Sequence, residues 1–152
     1  MPNRERKRNR TDPAAYTSVE ELLAEARSTI VRLTPTEARA ALQDGALLVD
    51  IRSSDQRAFD GSLPGARVIP RNVLEWRLDP NSDHRDPGVA RLDRQIILIC
   101  DEGYQSSLAA TTLQRFGLDA ADVIGGVQAW RAQGLPLSAA RSAENPRPRR
   151  AT

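Results

Sequence analysis

The fold is decided by the stretch Gln95-Ile-Ile-Leu-Ile-Cys100-Asp-Glu-Gly103-Tyr-Gln-Ser106-Ser107-Leu-Ala-Ala-Thr-Thr-Leu-Gln-Arg-Phe116. Its first part, residues 96–99, is a continuous apolar run rich in β-branched side chains, which is typical of a strand buried on both faces in a parallel sheet. Its last part places apolar residues at helical spacing from Leu108 to Phe116. A strand, a tight loop and a helix in this order direct backbone N–H groups toward an anion.

The only cysteine of the chain, Cys100, stands at the start of that loop. A sulfur at the carboxyl end of a strand, in front of a helix N-terminus, is favoured as the thiolate, which is the nucleophilic form. Gly103 permits the turn that such a loop needs, and Ser106 or Ser107 suits the first turn of the helix as a cap. The alternative is an inert buried cysteine that closes an apolar strand. The glycine and the serines favour the reactive interpretation.

These residues resemble a known family. The segment Cys100-Asp101-Glu102-Gly103-Tyr104-Gln105-Ser106 is similar to the active-site loop Cys-x-x-Gly-x-x-Ser of rhodanese-like sulfurtransferases. Further landmarks of that family follow in order over residues 34–137, at 48–52, 59–66, 68–70, 123–130 and 134–136. The family often has His where this chain has Ser62.

Alternating strands and helices predict an α/β fold with three layers and a mostly parallel central sheet flanked by helices. With 152 residues, the chain is long enough for one domain. We expect a rhodanese-like domain over 34–138, a helical extension over 17–33, and disordered basic tails over 1–16 and 139–152. The extension begins with the capping pattern Ser18-Val-Glu-Glu21.

Composition limits the classes of function. No window approaches the roughly 18 apolar residues of a membrane span, and a single cysteine agrees with a cytoplasmic protein. With one cysteine and one histidine, His84, in a polar loop, the sequence has no metal-ligand cluster. The tails are basic but lack interleaved aromatic residues, so we do not expect nucleic acid as a partner.

Two further groups of residues follow the ends of predicted strands. Asp50 and Arg52 come at the carboxyl end of the strand 46–51, where the resemblance implies that they brace the loops around the site. Arg71, Trp76 and Arg77 follow the next strand and are candidates for a pocket wall, because ligands bind at this edge of open α/β sheets. Each of these three could equally be an ordinary surface or packing residue.

The resemblance implies that Cys100 carries a persulfide between a sulfane-sulfur donor and a thiol or cyanide acceptor, without a cofactor. Donor and acceptor could each be a small molecule or a protein. Many better thiosulfate users of the family have Arg or Lys in this loop, whereas this chain has Asp101 and Glu102. Their charges disfavour a thiolate and repel an anionic donor, so we expect weak activity with thiosulfate.

Two other classes of function stay open. A rhodanese-like module without catalysis could use the loop surface for docking a protein. A cysteine phosphatase or an arsenate reductase would need a longer loop and an arginine for the oxyanion, whereas this chain has Gln105 near that place.

Overall fold

A computed structural model describes residues 11–138 of the chain. Of the two predicted tails, 1–16 and 139–152, only residues 11–16 lie within that range. In those six residues Asp12 caps a short 3-10 turn, Pro13–Ala15.

The described elements alternate as predicted. The helices are α1 (Val19–Arg27), α2 (Pro35–Gln43), α3 (Ser54–Asp60), α4 (Leu74–Leu78), α5 (Gln105–Gln114) and α6 (Gly126–Ala132). The strands are β1 (Val31–Leu33), β2 (Leu47–Asp50), β3 (Arg67–Val68), β4 (Ile96–Ile99) and β5 (Ala120–Val123). A second 3-10 turn, Arg71–Val73, precedes α4.

One five-stranded sheet has the order β1-β5-β4-β2-β3, and each neighbouring pair is parallel. The predicted parallel α/β class is confirmed. Because the strands are parallel, their carboxyl ends meet at one edge of the sheet, which is where ligands bind in such folds. The strand β1 comes from the predicted N-terminal extension and forms one border of the same sheet.

The core lies on both faces of the sheet, and β4 contributes to both. Ile96 and Leu98 pack with apolar residues of α4 and α5, whereas Ile97 and Ile99 pack with those of α2 and α6. This alternation follows from the two-residue period of a strand. The layers are therefore helices, sheet and helices, with the β4 run buried throughout.

The predicted start of α2 is confirmed by a reciprocal cap. The Thr34 hydroxyl accepts a hydrogen bond from the Glu37 N–H, and the Glu37 carboxylate accepts one from the Thr34 N–H. Pro35 stands at the first turn, where its missing N–H costs nothing.

Within residues 11–138, no helix combines the length and the apolar content that crossing a membrane requires.

Candidate active site

The sulfur of Cys100 lies in a cradle made by its own loop. Cys100 directly follows β4 and is buried. The N–H of Gly103 donates to Sγ at 3.1 Å, and the N–H of Ser106 donates to it at 3.4 Å. Two backbone dipoles aimed at one atom favour negative charge on that atom.

Gly103 is required by the path of the loop. Its φ is +87°, and a Cβ placed there would stand 2.8 Å from the Gly125 nitrogen and 3.2 Å from the Val123 carbonyl oxygen. Both the left-handed conformation and the close approach to the end of β5 exclude a larger residue without strain.

The first carbonyls of the loop are bound by the start of α6. The N–H groups of Val127 and Gln128 donate to the carbonyl oxygens of Cys100 and Asp101 at 2.9 and 3.1 Å. The Gln128 side-chain amide also donates to the Asp101 carboxylate at 2.9 Å. The cradle is thus fixed by an element about 25 residues further along the chain.

Ser106 and Ser107 do not act as caps, so that prediction is wrong. Tyr104 precedes the first residue of α5 and makes no side-chain cap, and both serines are buried inside the first turn. Their hydroxyls instead donate to one carboxylate oxygen of Asp122, at 2.7 and 2.8 Å. A buried carboxylate must have its hydrogen bonds satisfied, and these hydroxyls are within its reach.

Asp122 is a site residue that sequence reasoning missed. It is fully buried in β5, and its register partner in β1 is Arg32, whose Nε lies 2.9 Å from Oδ1. Ser106 connects this pair to the sulfur, because its Oγ lies 3.3 Å from Cys100 Sγ. In the sequence, the sign that Asp122 has a special role is that a charged residue stands within the otherwise apolar strand β5.

Asp50 and Arg52 form a buried ion pair at the carboxyl end of β2. Arg52 Nη2 lies 2.8 Å from Asp50 Oδ2 and donates to the Gly61 carbonyl oxygen at 2.9 Å. The pair therefore ties the end of the strand to the end of α3, and Arg52 also lines the cleft over Cys100.

An open cleft of about 900 Å³ lies in front of the sulfur. It is lined by Ile51, Arg52, Ser53, Asp55, Gln56, Pro70, Arg71, Asn72, Cys100, Asp101, Glu102, Tyr104 and Gln105. The loop thus presents its side chains at 101, 102, 104 and 105 to the cleft, while Gly103 and Ser106 are buried behind the sulfur.

Of the three predicted wall residues, only Arg71 reaches this cleft. Its guanidinium is paired with the carboxylate of Glu75. Trp76 and Arg77 do not line the cleft, so the prediction is wrong for them. Arg77 turns to the loop after α4, where it donates to the His84 carbonyl oxygen at 2.8 Å, and Trp76 is exposed on the outer surface.

Among residues 11–138, no group of three or more His, Cys, Asp or Glu side chains is placed to hold a metal ion.

A family model of the Rhodanese-like domain matches residues 34–133. The chain belongs to the rhodanese-like domain family. It is 35% identical over 101 residues to the thiosulfate sulfurtransferase GlpE of Pseudomonas syringae pv. syringae, which covers 66% of this chain and 86% of that protein. GlpE of Pseudomonas savastanoi pv. phaseolicola is 34% identical over 102 residues, covering 66% of this chain and 87% of that protein.

A solved structure from Rhodopseudomonas palustris is also similar. It is 35% identical, with a TM-score of 0.74, and the match covers 80% of this chain and 94% of that one. It is described as a protein of unknown function and a possible tyrosine phosphatase. A rhodanese-like domain protein of Staphylococcus aureus shares the fold at 24% identity and a TM-score of 0.57, covering 72% of this chain and all of that one.

Proposed function

We propose that this chain, a rhodanese-type sulfurtransferase, carries the transferred sulfur as a persulfide on Cys100. The observation that carries the proposal is the pair of N–H groups, from Gly103 and Ser106, that converge on Sγ beneath an open cleft. They favour the thiolate before the reaction, and they suit a charged persulfide after it.

The reaction consists of two displacements at sulfur. The Cys100 thiol first loses its proton to solvent. The thiolate then attacks the sulfane sulfur of the donor, an S–S bond forms, and the remainder of the donor leaves with the electron pair of the broken bond. In the second displacement a thiolate or cyanide attacks the outer sulfur, and Cys100 leaves as the thiolate.

The charges in the cleft favour a donor of low charge or a protein persulfide. Asp55, Asp101 and Glu102 face the cleft. Of the two arginines there, Arg52 is paired with Asp50 and Arg71 with Glu75. A dianion such as thiosulfate meets carboxylates that repel it, so it should bind weakly even though relatives are named for it.

We place this reaction in the cytoplasm, because the lone cysteine must stay reduced between turnovers. The acceptor is then a thiol, either of a small molecule or of a protein.

Steady-state transfer to cyanide tests the proposal. Wild-type chain and Cys100→Ser would be compared with thiosulfate and with a low-molecular-weight persulfide as donors. We expect transfer from the persulfide that the variant lacks, and a lower kcat/KM with thiosulfate. No transfer from either donor, with a thiol that still reacts with iodoacetamide, would favour the non-catalytic docking module.

Phosphatase chemistry is the second candidate, because the Rhodopseudomonas palustris relative is described as a possible tyrosine phosphatase. Between Cys100 and Ser106 the loop has no arginine to bind a phosphoryl group, and Gln105 stands near that place. We expect no hydrolysis of an aryl phosphate above that of Cys100→Ser. Cys100-dependent turnover of that ester would reverse the order of the two candidates.

A further inference from the structure

Helix α1 lies outside the matched family region, yet it packs directly on the helix that follows the active-site loop. The Thr111 hydroxyl of α5 donates to the Ala26 carbonyl oxygen at 3.0 Å. The Gln114 amide donates to the Thr29 carbonyl oxygen at 3.0 Å, and Ala26 is buried. These contacts fix the last turn of α1 against α5.

Arg27, the last residue of α1, reaches the active-site loop from behind. Its Nη2 donates to the Gly103 carbonyl oxygen at 2.8 Å, and its Nε donates to the Ser107 hydroxyl at 3.1 Å. The guanidinium carbon lies 5.6 Å from the centre of the Tyr104 ring, within the range of a cation–π contact. The Arg27 side chain thus contacts Gly103 and Tyr104 in the loop and Ser107 in the first turn of α5.

Arg27 and Arg32 share one acceptor. Arg32 Nη2 donates to the Gly103 carbonyl oxygen at 3.1 Å. Because the peptide is planar and trans, fixing this carbonyl also fixes the Tyr104 N–H, which points away from the arginines. Gly103 has a positive φ, where a glycine peptide rotates easily without such an anchor. The two arginines therefore restrain the peptide next to the N–H that binds Sγ.

Arg27 also orders the hydroxyls around the sulfur. Ser107 Oγ lies within hydrogen-bond distance of both Asp122 Oδ2, at 2.8 Å, and the Gly103 carbonyl oxygen, at 3.3 Å. With Arg27 bound to that carbonyl, the Ser107 proton is directed to Asp122. An ionised sulfur can accept a hydrogen bond from the Ser106 hydroxyl, whose oxygen lies 3.3 Å from Sγ. If Ser106 donates there, Asp122 still has Ser107 and Arg32 as donors.

We propose that Arg27 is a positioning residue for the Cys100 sulfur, so that the N-terminal helix completes the active site of this chain. The inference rests on the proposed nucleophilic role of Cys100. It adds that the fixed geometry of the loop requires a residue outside the matched domain.

The test uses the full chain with Arg27→Gln, Arg27→Lys and, as a matched control, Arg39→Gln on the exposed surface of α2. The rate of Cys100 alkylation by iodoacetamide is measured from pH 5 to 10. We expect Arg27→Gln to slow alkylation at neutral pH relative to its plateau at high pH, because it weakens the hydrogen bonding of the ionised sulfur. Arg27→Lys should recover part of that loss, and Arg39→Gln should match wild type.

Turnover supplies the second readout. We expect Arg27→Gln to lower kcat about tenfold, the size of one charge-assisted hydrogen bond, with little change in KM for the donor. A wild-type pH profile and kcat in Arg27→Gln would overturn the proposal, even if its melting temperature were lower. If Arg27→Gln does not fold, Arg27→Met decides, because it keeps an aliphatic stem without a hydrogen-bond donor: an unchanged alkylation profile there overturns the proposal.

The alkylation profile separates this proposal from the proposed function. It reports on the Cys100 sulfur whether or not any donor is used. A shifted profile in a chain that transfers no sulfur would keep the role of Arg27 and refute sulfur transfer. An unshifted Arg27→Gln profile in a chain that does transfer sulfur would keep the proposed function and refute the role of Arg27.

Discussion

The two sides of the Cys100 loop are built differently. The front faces the cleft with exposed or half-exposed side chains, among them Asp101, Glu102 and Tyr104. The back is a buried network in which Asp122 pairs with Arg32 and accepts hydrogen bonds from two serines. We therefore expect the back to fix where the sulfur lies and the front to determine which donor can approach it. Changes at the back should cost stability and rate together, whereas changes at the front should alter the choice of donor alone.

The largest effect should come from Asp122→Asn at the back. It removes the charge of a fully buried carboxylate and leaves the Arg32 guanidinium without an opposite charge. We expect the free energy of unfolding to fall by about 3 kcal/mol, measured by urea titration. The control at the front, Asp101→Asn, should change it by less than about 0.5 kcal/mol. Equal losses in the two variants would contradict the distinction between front and back.

The next largest loss of stability should come from Gly103→Ala. The left-handed backbone alone costs about 1–2 kcal/mol for a residue with a side chain. The matched control Gly65→Ala also has a positive φ, +77°, but its Cβ would meet nothing within 4 Å. The difference in unfolding free energy between the two variants isolates the contact with the end of β5. If the two variants lose the same stability, packing against β5 does not hold the loop.

At the front, Glu102→Gln should affect donor choice but not stability. Removing one exposed charge near the sulfur should raise kcat/KM for thiosulfate about threefold at low salt, and the gain should shrink at high ionic strength. The control Glu20→Gln, at an exposed residue of α1, should leave kcat/KM unchanged. An equal gain with an uncharged persulfide donor would show that repulsion is not the cause.

Thr34 lies away from both sides of the Cys100 loop, so Thr34→Ala should have the smallest effect on the reaction. Hydrogen bonds from the Thr34 N–H and hydroxyl hold the pKa of Glu37 below its usual value. That contribution to stability is present above the unfolded-state pKa and is lost as pH falls through the lower folded-state pKa.

Losing the hydroxyl cap should cost about 1 kcal/mol at neutral pH. The backbone N–H at position 34 still donates to Glu37, so only the part of the difference that comes from the hydroxyl's effect on the Glu37 pKa should be lost in acid. Unfolding titrations at pH 7 and pH 3 check this, with Thr34→Ser as the variant that keeps a cap. A constant difference at both values of pH would show that the Thr34 hydroxyl does not act on the pKa of Glu37. Sulfur transfer by Thr34→Ala should equal that of wild type, which separates loss of stability from loss of rate.

The sequence predicted the layers of the fold and the front of the site, because both depend on local patterns. The apolar run 96–99 identifies the central strand, and the loop after it is contiguous in sequence. The back depends on contacts distant in the chain: Arg32 meets Asp122 because β1 pairs with β5, and Arg27 reaches the loop because α1 packs on α5. Strand order cannot be derived from periodicity, so Ser106 and Ser107 were interpreted by their local preference for capping. The prediction that Trp76 and Arg77 line the cleft was wrong for a similar reason. Their position after a strand does not determine which face of the short helix α4 points to the cleft.

Sulfur transfer through Cys100 is tested by the intact mass of the protein after incubation with a persulfide donor, for wild type and for Cys100→Ser. Wild type should gain the mass of one sulfur atom, which a reductant removes and which cyanide removes as thiocyanate. Cys100→Ser should gain no sulfur. A wild-type chain that folds, reacts with iodoacetamide at Cys100 and yet gains no sulfur from any donor would refute a persulfide on Cys100.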